Sequence, residues 1–488
     1  MNDSKSEETV DSKKAEPFVE EEPVVVDRSI QLGDMDLHYR VTTGRMPLKN
    51  ELGEIESQMF YVAYTKSDQP SGSRRPLIFT FNGGPGSPSI WLHLGAVGPM
   101  RAKMLDDGML PPPPYELEEN QQTWLADADL VFIDPIGTGF SRAHTQELGQ
   151  KYWGVEGDIE SVGEFIRLFL TRYDRWMSPL YLAGESYGTT RAAGLSGYLA
   201  KRGISFNGII LVSAILNFQT ARDFKGNDLP FMVFLPSYTA TAWYHGMLDK
   251  ELSSDLQSTL SEVKKWALSD YALILAKGDS LSASERAEAV TKLARYTGLS
   301  SDYVDSRDLR IEIHAFCKEL LRGKKRTVGR LDSRFKGIDG NNAAERPEHD
   351  PSMSALMGPY TAAFQHYVRT TLGYKTDLEY MIFNGVKSPW NWGKPSDGPP
   401  DTSEALRKAM AMNPYMKVFI ASGYYDLATP FFATEYTFNH MGIDSEVRSN
   451  VVTKEYEAGH MMYINVPCLK QLKKDISSFV LESKRVSE

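Results

Sequence analysis

Apolar residues along this chain keep two rhythms that take turns. Alternation runs through Met35-Asp36-Leu37-His38-Tyr39-Arg40-Val41 and, less regularly, through Gln58-Met59-Phe60-Tyr61-Val62-Ala63-Tyr64. That is the mark of half-buried strands, and between Ile30 and Thr65 it predicts an antiparallel start to a sheet. Unbroken apolar runs follow at Leu77–Phe81, Leu130–Ile133, Leu180–Ala183, Gly208–Val212 and Lys417–Ala421, as expected of strands covered on both faces. Between these runs the period lengthens. From Asp158 onward, Ile159, Val162, Phe165, Ile166 and Phe169 share one helical face, and after Ser186 the small residues Ala192, Ala193, Gly194 and Gly197 allow a helix to lie close on the strands. Glu446 to Thr453 reads as the last strand. A helix from Pro467, with Leu469, Leu472, Ile476 and Phe479 on one face, closes the unit. Strands alternating with helices predict an α/β fold with a doubly wound, mostly parallel sheet.

The rhythm breaks after about Phe218. Trp243 to roughly Leu321 reads as several helices with polar interruptions, and Gly323 to Pro359 is charged and rich in turns, without strand runs. This block is expected to be an inserted, mainly helical lid spanning residues 224–400, between sheet-forming parts at 28–223 and 401–488. Residues 1–27 are acidic with little apolar periodicity and are expected to be disordered. They lack the pattern of a secretory signal, so the chain as written reads as cytoplasmic, and as periplasmic or secreted if a signal has been removed. The length of 488 residues fits this large domain with an insertion.

Composition narrows the chemistry. No apolar run approaches the ~18–20 residues that a membrane span needs. A formal charge of −10 argues against nucleic acid as the main partner. Cys317 and Cys468 stand apart, outside any C-x-x-C or histidine-rich cluster, so two buried inert thiols are expected and no metal or cofactor. Asp339-Gly340-Asn341-Asn342 resembles a fragment of a calcium loop but lacks the ligand spacing, and reads as a solvated turn.

The candidate chemistry lies in the loops after the buried strands. Gly184-Glu185-Ser186-Tyr187-Gly188 joins a strand to a helix, a turn that lifts a serine hydroxyl above the sheet. The Tyr187 N–H at the start of that helix points toward any oxyanion formed at Ser186. Asp426 follows the strand at Lys417–Ala421, and His460 follows the last strand. Ser186, Asp426 and His460 thus stand in the chain order of α/β-hydrolases. Each type is required: a base near neutrality for the hydroxyl proton, and a carboxylate to fix its tautomer and stabilise the imidazolium. The loop Asn82-Gly83-Gly84-Pro85-Gly86 follows the strand Leu77–Phe81 and lets backbone approach a ligand closely.

Together with Asp134-Pro135-Ile136-Gly137-Thr138-Gly139-Phe140-Ser141 and Ala458-Gly459-His460, these motifs resemble the serine carboxypeptidase family, from about Ile30 onward. The resemblance implies an oxyanion hole from the N–H groups of Gly84 and Tyr187. It also implies that Asn82, the Gly83 N–H and Glu185 bind the terminal carboxylate of a peptide substrate, and that Met461 lines an apolar pocket for the leaving residue. The alternative for Glu185 is a solvent-facing elbow residue. Three positions depart from the family pattern: Ser87 stands where a disulfide cysteine is usual, Thr80 for a tryptophan and Tyr424 for an acid. Few cysteines, with the stretch from Asp332-Ser333-Arg334 to Asp350-Pro351-Ser352, look like the family's bacterial branch. The expected activity is release of C-terminal residues from peptides through an acyl-enzyme on Ser186, favoured in mildly acidic solution. Ester hydrolysis or acyl transfer on the same scaffold, and a non-catalytic binder, are the competing readings. Side-chain preference and oligomeric state are not set by any pattern in the chain.

Overall fold

The structure, a computed structural model, describes residues 18–69 and 74–485. Its central sheet is built from β1 (Val24–Leu32), β2 (Met35–Lys49), β3 (Ile55–Lys66), β4 (Leu77–Phe81), β5 (Asp129–Ile133), β6 (Leu180–Glu185), β7 (Gly208–Val212), β8 (Lys417–Gly423) and β9 (Val451–Tyr456), with the short strand Arg142–Ala143 added beside β3. The spatial order is β1-β2-β3-β5-β4-β6-β7-β8-β9. The pairs β1/β2, β2/β3 and β3/β5 are antiparallel. All pairings from β5 to β9 are parallel. This is an α/β-hydrolase sheet.

The unbroken apolar runs are explained by two covers. Ile78, Tyr181, Ala183, Ile210, Val212, Phe419 and Ala421 face a core shared with Leu469, Leu472, Ile476 and Phe479 of the closing helix Val466–Arg485. Their neighbours Leu77, Phe79, Leu182, Ile209, Leu211, Val418 and Ile420 face the opposite core, under the helices Val155–Arg172, Tyr187–Ala200 and Ser403–Met412. With Leu472 fully buried, truncating it to alanine removes about 2–5 kcal/mol from the fold.

The segment between β7 and β8 contributes to two different cores. Its helices between Leu229 and Ser306 pack around Trp266, Tyr271 and Tyr296 and also enclose Tyr425 and Leu427 from the loop after β8 and Phe431 at the start of the helix Phe431–His440. The helix Pro351–His366 instead sends Leu356, Tyr360 and Phe364 into the core beneath the sheet.

Four expectations need correction. Disorder to Asp27 does not hold for Val24–Asp27, which pair with Thr43–Arg40 in β1; residues 1–17 lie outside the described residues. The strand at Glu446–Thr453 is instead the short helix Ser445–Arg448 followed by β9, because the Asp444 side chain accepts from the Glu446 N–H and starts a helical turn. The turn-rich stretch to Pro359 contains a strand pair, Thr327–Val328 with Lys336–Gly337, and Asp350-Pro351 starts a helix there with the Asp350 side chain as its cap. Asp339 is not solvated: its side chain is buried in an ion pair with Lys318.

Candidate active site

Every candidate residue lies at the carboxyl end of the parallel strands, where register alone brings distant segments together. Glu185 at the end of β6 is level with Val212 of β7, and Val212 is level with Ala421 of β8. Ser186 follows with φ 59° and ψ −130°, on the side of the Ramachandran map that L residues avoid. Such a conformation costs about 1–3 kcal/mol and persists only when its surroundings enforce it. Here the Ser186 N–H donates to the Val212 carbonyl at 3.0 Å, and the helix Tyr187–Ala200 begins at once. Within Gly184–Gly188, Ser186 alone is partly exposed.

The loop after β4 is pressed against this elbow. A Cβ on Gly83 would lie 2.4 Å from the Tyr187 nitrogen, and one on Gly188 would lie 2.8 Å from the Phe81 carbonyl oxygen. Only glycine permits that approach, which sets Gly83 and Gly84 against the first N–H of the helix, beside Ser186. That N–H has no partner within its own helix. The arrangement can hold a negative oxygen between two backbone donors.

His460 and Asp426 meet through His460 Nδ1 and Asp426 Oδ2, 2.7 Å apart. Asp426 is fully buried, yet every lone pair is occupied: Ala428 N–H and Thr429 N–H donate to Oδ1 at 2.7 and 3.0 Å, and the Thr429 hydroxyl reaches Oδ2 at 2.7 Å. Burial alone would raise its pKa, but the His460 charge and these hydrogen bonds together hold it below the ordinary carboxylate value. For His460 burial works to lower the pKa, and the Asp426 charge, its hydrogen bond and the Glu185 charge outweigh that and raise it. Ser213, between the two loops, ties them in: its hydroxyl donates to the His460 carbonyl at 2.6 Å, and its own carbonyl lies 3.0 Å from the Thr429 hydroxyl oxygen, whose one proton goes to the nearer Asp426 Oδ2.

Glu185 is buried, so the solvent-facing alternative is excluded. Desolvation pushes its carboxyl up to about 7, against the lowering influence of His460, of a hydrogen bond from Tyr463 and of the nearby Asn82 amide. The Tyr463 hydroxyl donates to Glu185 Oε2 at 2.6 Å. Asn82 is turned by two anchors: its Oδ1 accepts from the Leu92 N–H at 3.0 Å, and its carbonyl accepts from Arg191 at 2.7 Å. Its Nδ2 is buried, makes no close hydrogen bond, and faces the Glu185 carboxyl and the Tyr463 hydroxyl. Such an atom costs about 1–3 kcal/mol unless a ligand answers it.

Arg191 reaches this site from the helix behind the elbow. It is 1 % exposed, pairs with the buried Asp158 at 2.8 Å and lies over the rings of Phe81 and Tyr187. Removing one partner of so buried a pair strands the other charge, at a cost of about 3–5 kcal/mol.

The remaining predicted positions are easily placed. Met461 is buried in the apolar cluster that holds Trp91, Tyr360 and Tyr463. Ser87 accepts from the Trp91 indole at 2.8 Å, and the Tyr424 hydroxyl donates to Glu455 at 2.8 Å. Thr80 is buried with its hydroxyl unpaired. Cys317 and Cys468 are both buried free thiols, and burial raises the pKa of each. Sequence reasoning missed Tyr463, Ser213, Thr429, Arg191 and Asp158. The one available signal was the spacing of Tyr463, three residues after His460 on a tight turn.

Comparison with known proteins agrees with this geometry. A family model described as serine carboxypeptidase matches residues 40–469. Serine carboxypeptidase-like 5 of Arabidopsis thaliana is 32% identical over 153 residues, 30% of this chain and 33% of the relative. A pheromone-processing carboxypeptidase of Saccharomyces cerevisiae is 32% identical over 158 residues, 30% of this chain and 20% of the relative. The chain thus spans a third or less of the length of these curated relatives. The crystal structure of a prohormone-processing carboxypeptidase from Saccharomyces cerevisiae superposes with a TM-score of 0.55 at 15% identity, covering 91% of this chain and 92% of that one, which establishes the shared fold. On a family match that takes in the elbow, the glycine loop and both loops of the Asp426–His460 pair, this chain belongs to the serine carboxypeptidase family.

Proposed function

We propose that the chain removes C-terminal residues from peptides, with Ser186 as nucleophile, His460 as base and Asp426 as its orienting carboxylate. Ser186 Oγ attacks the carbonyl carbon of the last peptide bond while His460 takes the hydroxyl proton. The resulting oxyanion is held by the N–H groups of Gly84 and Tyr187. Collapse breaks the C–N bond, His460 passes its proton to the departing amine, and the terminal residue leaves. Water then attacks the acyl-serine, His460 accepts its proton and returns one to Ser186, and the shortened peptide is released as an acid.

What separates an exopeptidase from an esterase is a receptor for the terminal carboxylate, and the supporting observation is the buried Asn82 amide, free of any close hydrogen bond at Nδ2, set against the buried Glu185 whose carboxyl is pushed up to about 7. Asn82 donates to the substrate carboxylate, as does the Gly83 N–H. With Tyr463 occupying Oε2, the proton on Glu185 belongs on Oε1, from which it can be donated. Two carboxylates brought together share one proton, which raises the pair's affinity for it. Binding is therefore complete below the pair's apparent pKa and is lost as pH rises through it. His460 sets the opposite limit, since it must be neutral to act. The profile of kcat/KM for free-acid peptides is a bell between an acid limb set by His460, held above its ordinary value, and a basic limb set by Glu185, whose carboxyl is pushed up to about 7. Met461 and its apolar neighbours receive the leaving side chain, and the 224–400 segment shapes which residues are accepted. Glu185→Gln, a donor at any pH, flattens the basic limb for free-acid substrates, and C-terminal amides lack that limb. Identical profiles for acid and amide, unchanged in Glu185→Gln, would remove Glu185 from carboxylate recognition and favour the esterase reading.

A further inference from the structure

The stretch Asp332-Ser333-Arg334 stands out in the sequence and has no part in the chemistry above. In the structure it forms the tip of a small hairpin, closed by Thr327–Val328 against Lys336–Gly337 and by the Gly329 N–H on the Phe335 carbonyl at 3.0 Å. This tip enters between the two loops that carry Asp426 and His460. On the Asp426 side, the Leu427 N–H donates to the Arg330 carbonyl at 3.0 Å, and the Ser333 N–H to the Tyr425 carbonyl at 3.0 Å. On the His460 side, the His460 N–H donates to the Leu331 carbonyl at 2.7 Å, and the Gly459 N–H to Asp332 Oδ2 at 3.1 Å. A Cβ on Gly459 would lie 2.4 Å from the Asp332 Cβ, so the Gly459 main chain lies directly against Asp332.

Asp332 is itself fixed. Arg334 grips both of its oxygens, Nε on Oδ1 at 2.9 Å and Nη2 on Oδ2 at 2.6 Å, and reaches the Glu457 carbonyl at 3.3 Å. Asp332 is 2 % exposed and Arg334 is 6 %. A bidentate pair of this kind gives direction as well as attraction. The main chain of His460 is thus held at three points: its N–H by Leu331, its carbonyl by Ser213, and the amide before it by Asp332.

We infer that Asp332 is a positioning residue that aims His460 through the Gly459 N–H, and that the hairpin tip of the insertion holds the Asp426 and His460 loops in catalytic register. The inference rests on the hydrolase reading. It assigns the insertion a share in the chemical step, beyond shaping the cleft. A misplacement of about 1 Å in a catalytic group costs on the order of 100-fold in rate. Asp332→Asn keeps an acceptor for Gly459 but loses the charge that Arg334 holds; Asp332→Ala loses both.

The test compares full-length wild type, Asp332→Asn and Asp332→Ala, each normalised by titrating reactive Ser186 with a fluorophosphonate. The expected result is a kcat lower by about 10-fold for asparagine and about 100-fold for alanine, with KM within about twofold and the labelling rate falling in parallel. The acid limb moves to lower pH as well. His460 faces Asp426, Glu185 and Arg330, and a ring that sits less well on Asp426 loses part of what raises its pKa. A residue serving only the fold would lower the melting temperature and the titratable fraction, and leave kcat per titrated site and the acid limb unchanged. That outcome in Asp332→Asn overturns the inference, even if Asp332→Ala fails to fold. A wild type that does not label at Ser186 overturns the hydrolase reading, and the inference with it.

Discussion

Replacing Tyr463 by phenylalanine removes one oxygen from a fully buried ring and leaves the ring's packing in place. The lost atom is the donor to Glu185 Oε2 at 2.6 Å, a bond that lowers the glutamate's pKa against the larger effect of burial. A hydrogen bond to a buried carboxylate contributes about 1.5–3 kcal/mol, and one to the neutral carboxyl about 0.5–1.5 kcal/mol. Their difference, about 1–1.5 kcal/mol, corresponds to about one pKa unit. The sign follows from which form loses more: the ionised glutamate does, so the proton is held more tightly and to higher pH. The basic limb of kcat/KM for an N-blocked free-acid dipeptide should therefore move up by about one unit. The same substrate with a C-terminal amide has no shared proton to keep, and its profile should not move on that side. The assay is initial rate at low substrate across the pH range, for both substrates and both proteins. A basic limb that stays in place or moves down in Tyr463→Phe would refute the account of Glu185.

The folded protein should itself lose stability as pH rises toward 7, because Glu185 at about 7 and Asp134 at about 7 both bind protons more tightly when folded than an ordinary unfolded carboxyl does; melting temperatures across pH 5 to 8 in Glu185→Gln against wild type isolate the first contribution, and an unchanged difference between them would contradict it. Mercurials should leave activity intact, since both thiols are buried with raised pKa; inactivation rescued by Cys468→Ser would show otherwise. Gly83→Ala should lower kcat by about 100- to 1000-fold, the loss seen when one oxyanion donor is displaced, because its Cβ has no room beside the Tyr187 nitrogen; near wild-type turnover would place the oxyanion elsewhere.

The parts of the molecule that could be read from the chain are those specified locally. Strands buried on both faces announce themselves by unbroken apolar runs, and the elbow by glycines on either side of a serine. Val24–Asp27 escaped because β1 is largely exposed and is held by its ladder with β2 rather than by a buried face. Glu446–Thr453 misled because β-branched residues there straddle a capped helical turn and a strand. Around the site, what stayed hidden acts across long separations. Tyr463 and Glu185 are 278 residues apart, and nothing in a tyrosine's neighbours announces a buried glutamate. The hairpin tip at 330–334 works largely through backbone amides and carbonyls, which any sequence possesses. Conversely, the pairing of Asn82 with Glu185 was legible through resemblance, and the structure sets beside that expectation a buried amide facing a carboxyl pushed up to about 7.

The central claim is that Ser186 cuts the last peptide bond of a chain whose terminal carboxylate is recognised. One peptide, prepared as free acid and as C-terminal amide, tests it by mass spectrometry at mildly acidic pH with wild type and Ser186→Ala. The account predicts a ladder of products shortened one residue at a time from the C-terminus of the free acid, a much slower ladder from the amide, and none from Ser186→Ala. Internal cleavage, equal rates on acid and amide, or a tenth of wild-type activity surviving in Ser186→Ala would contradict it.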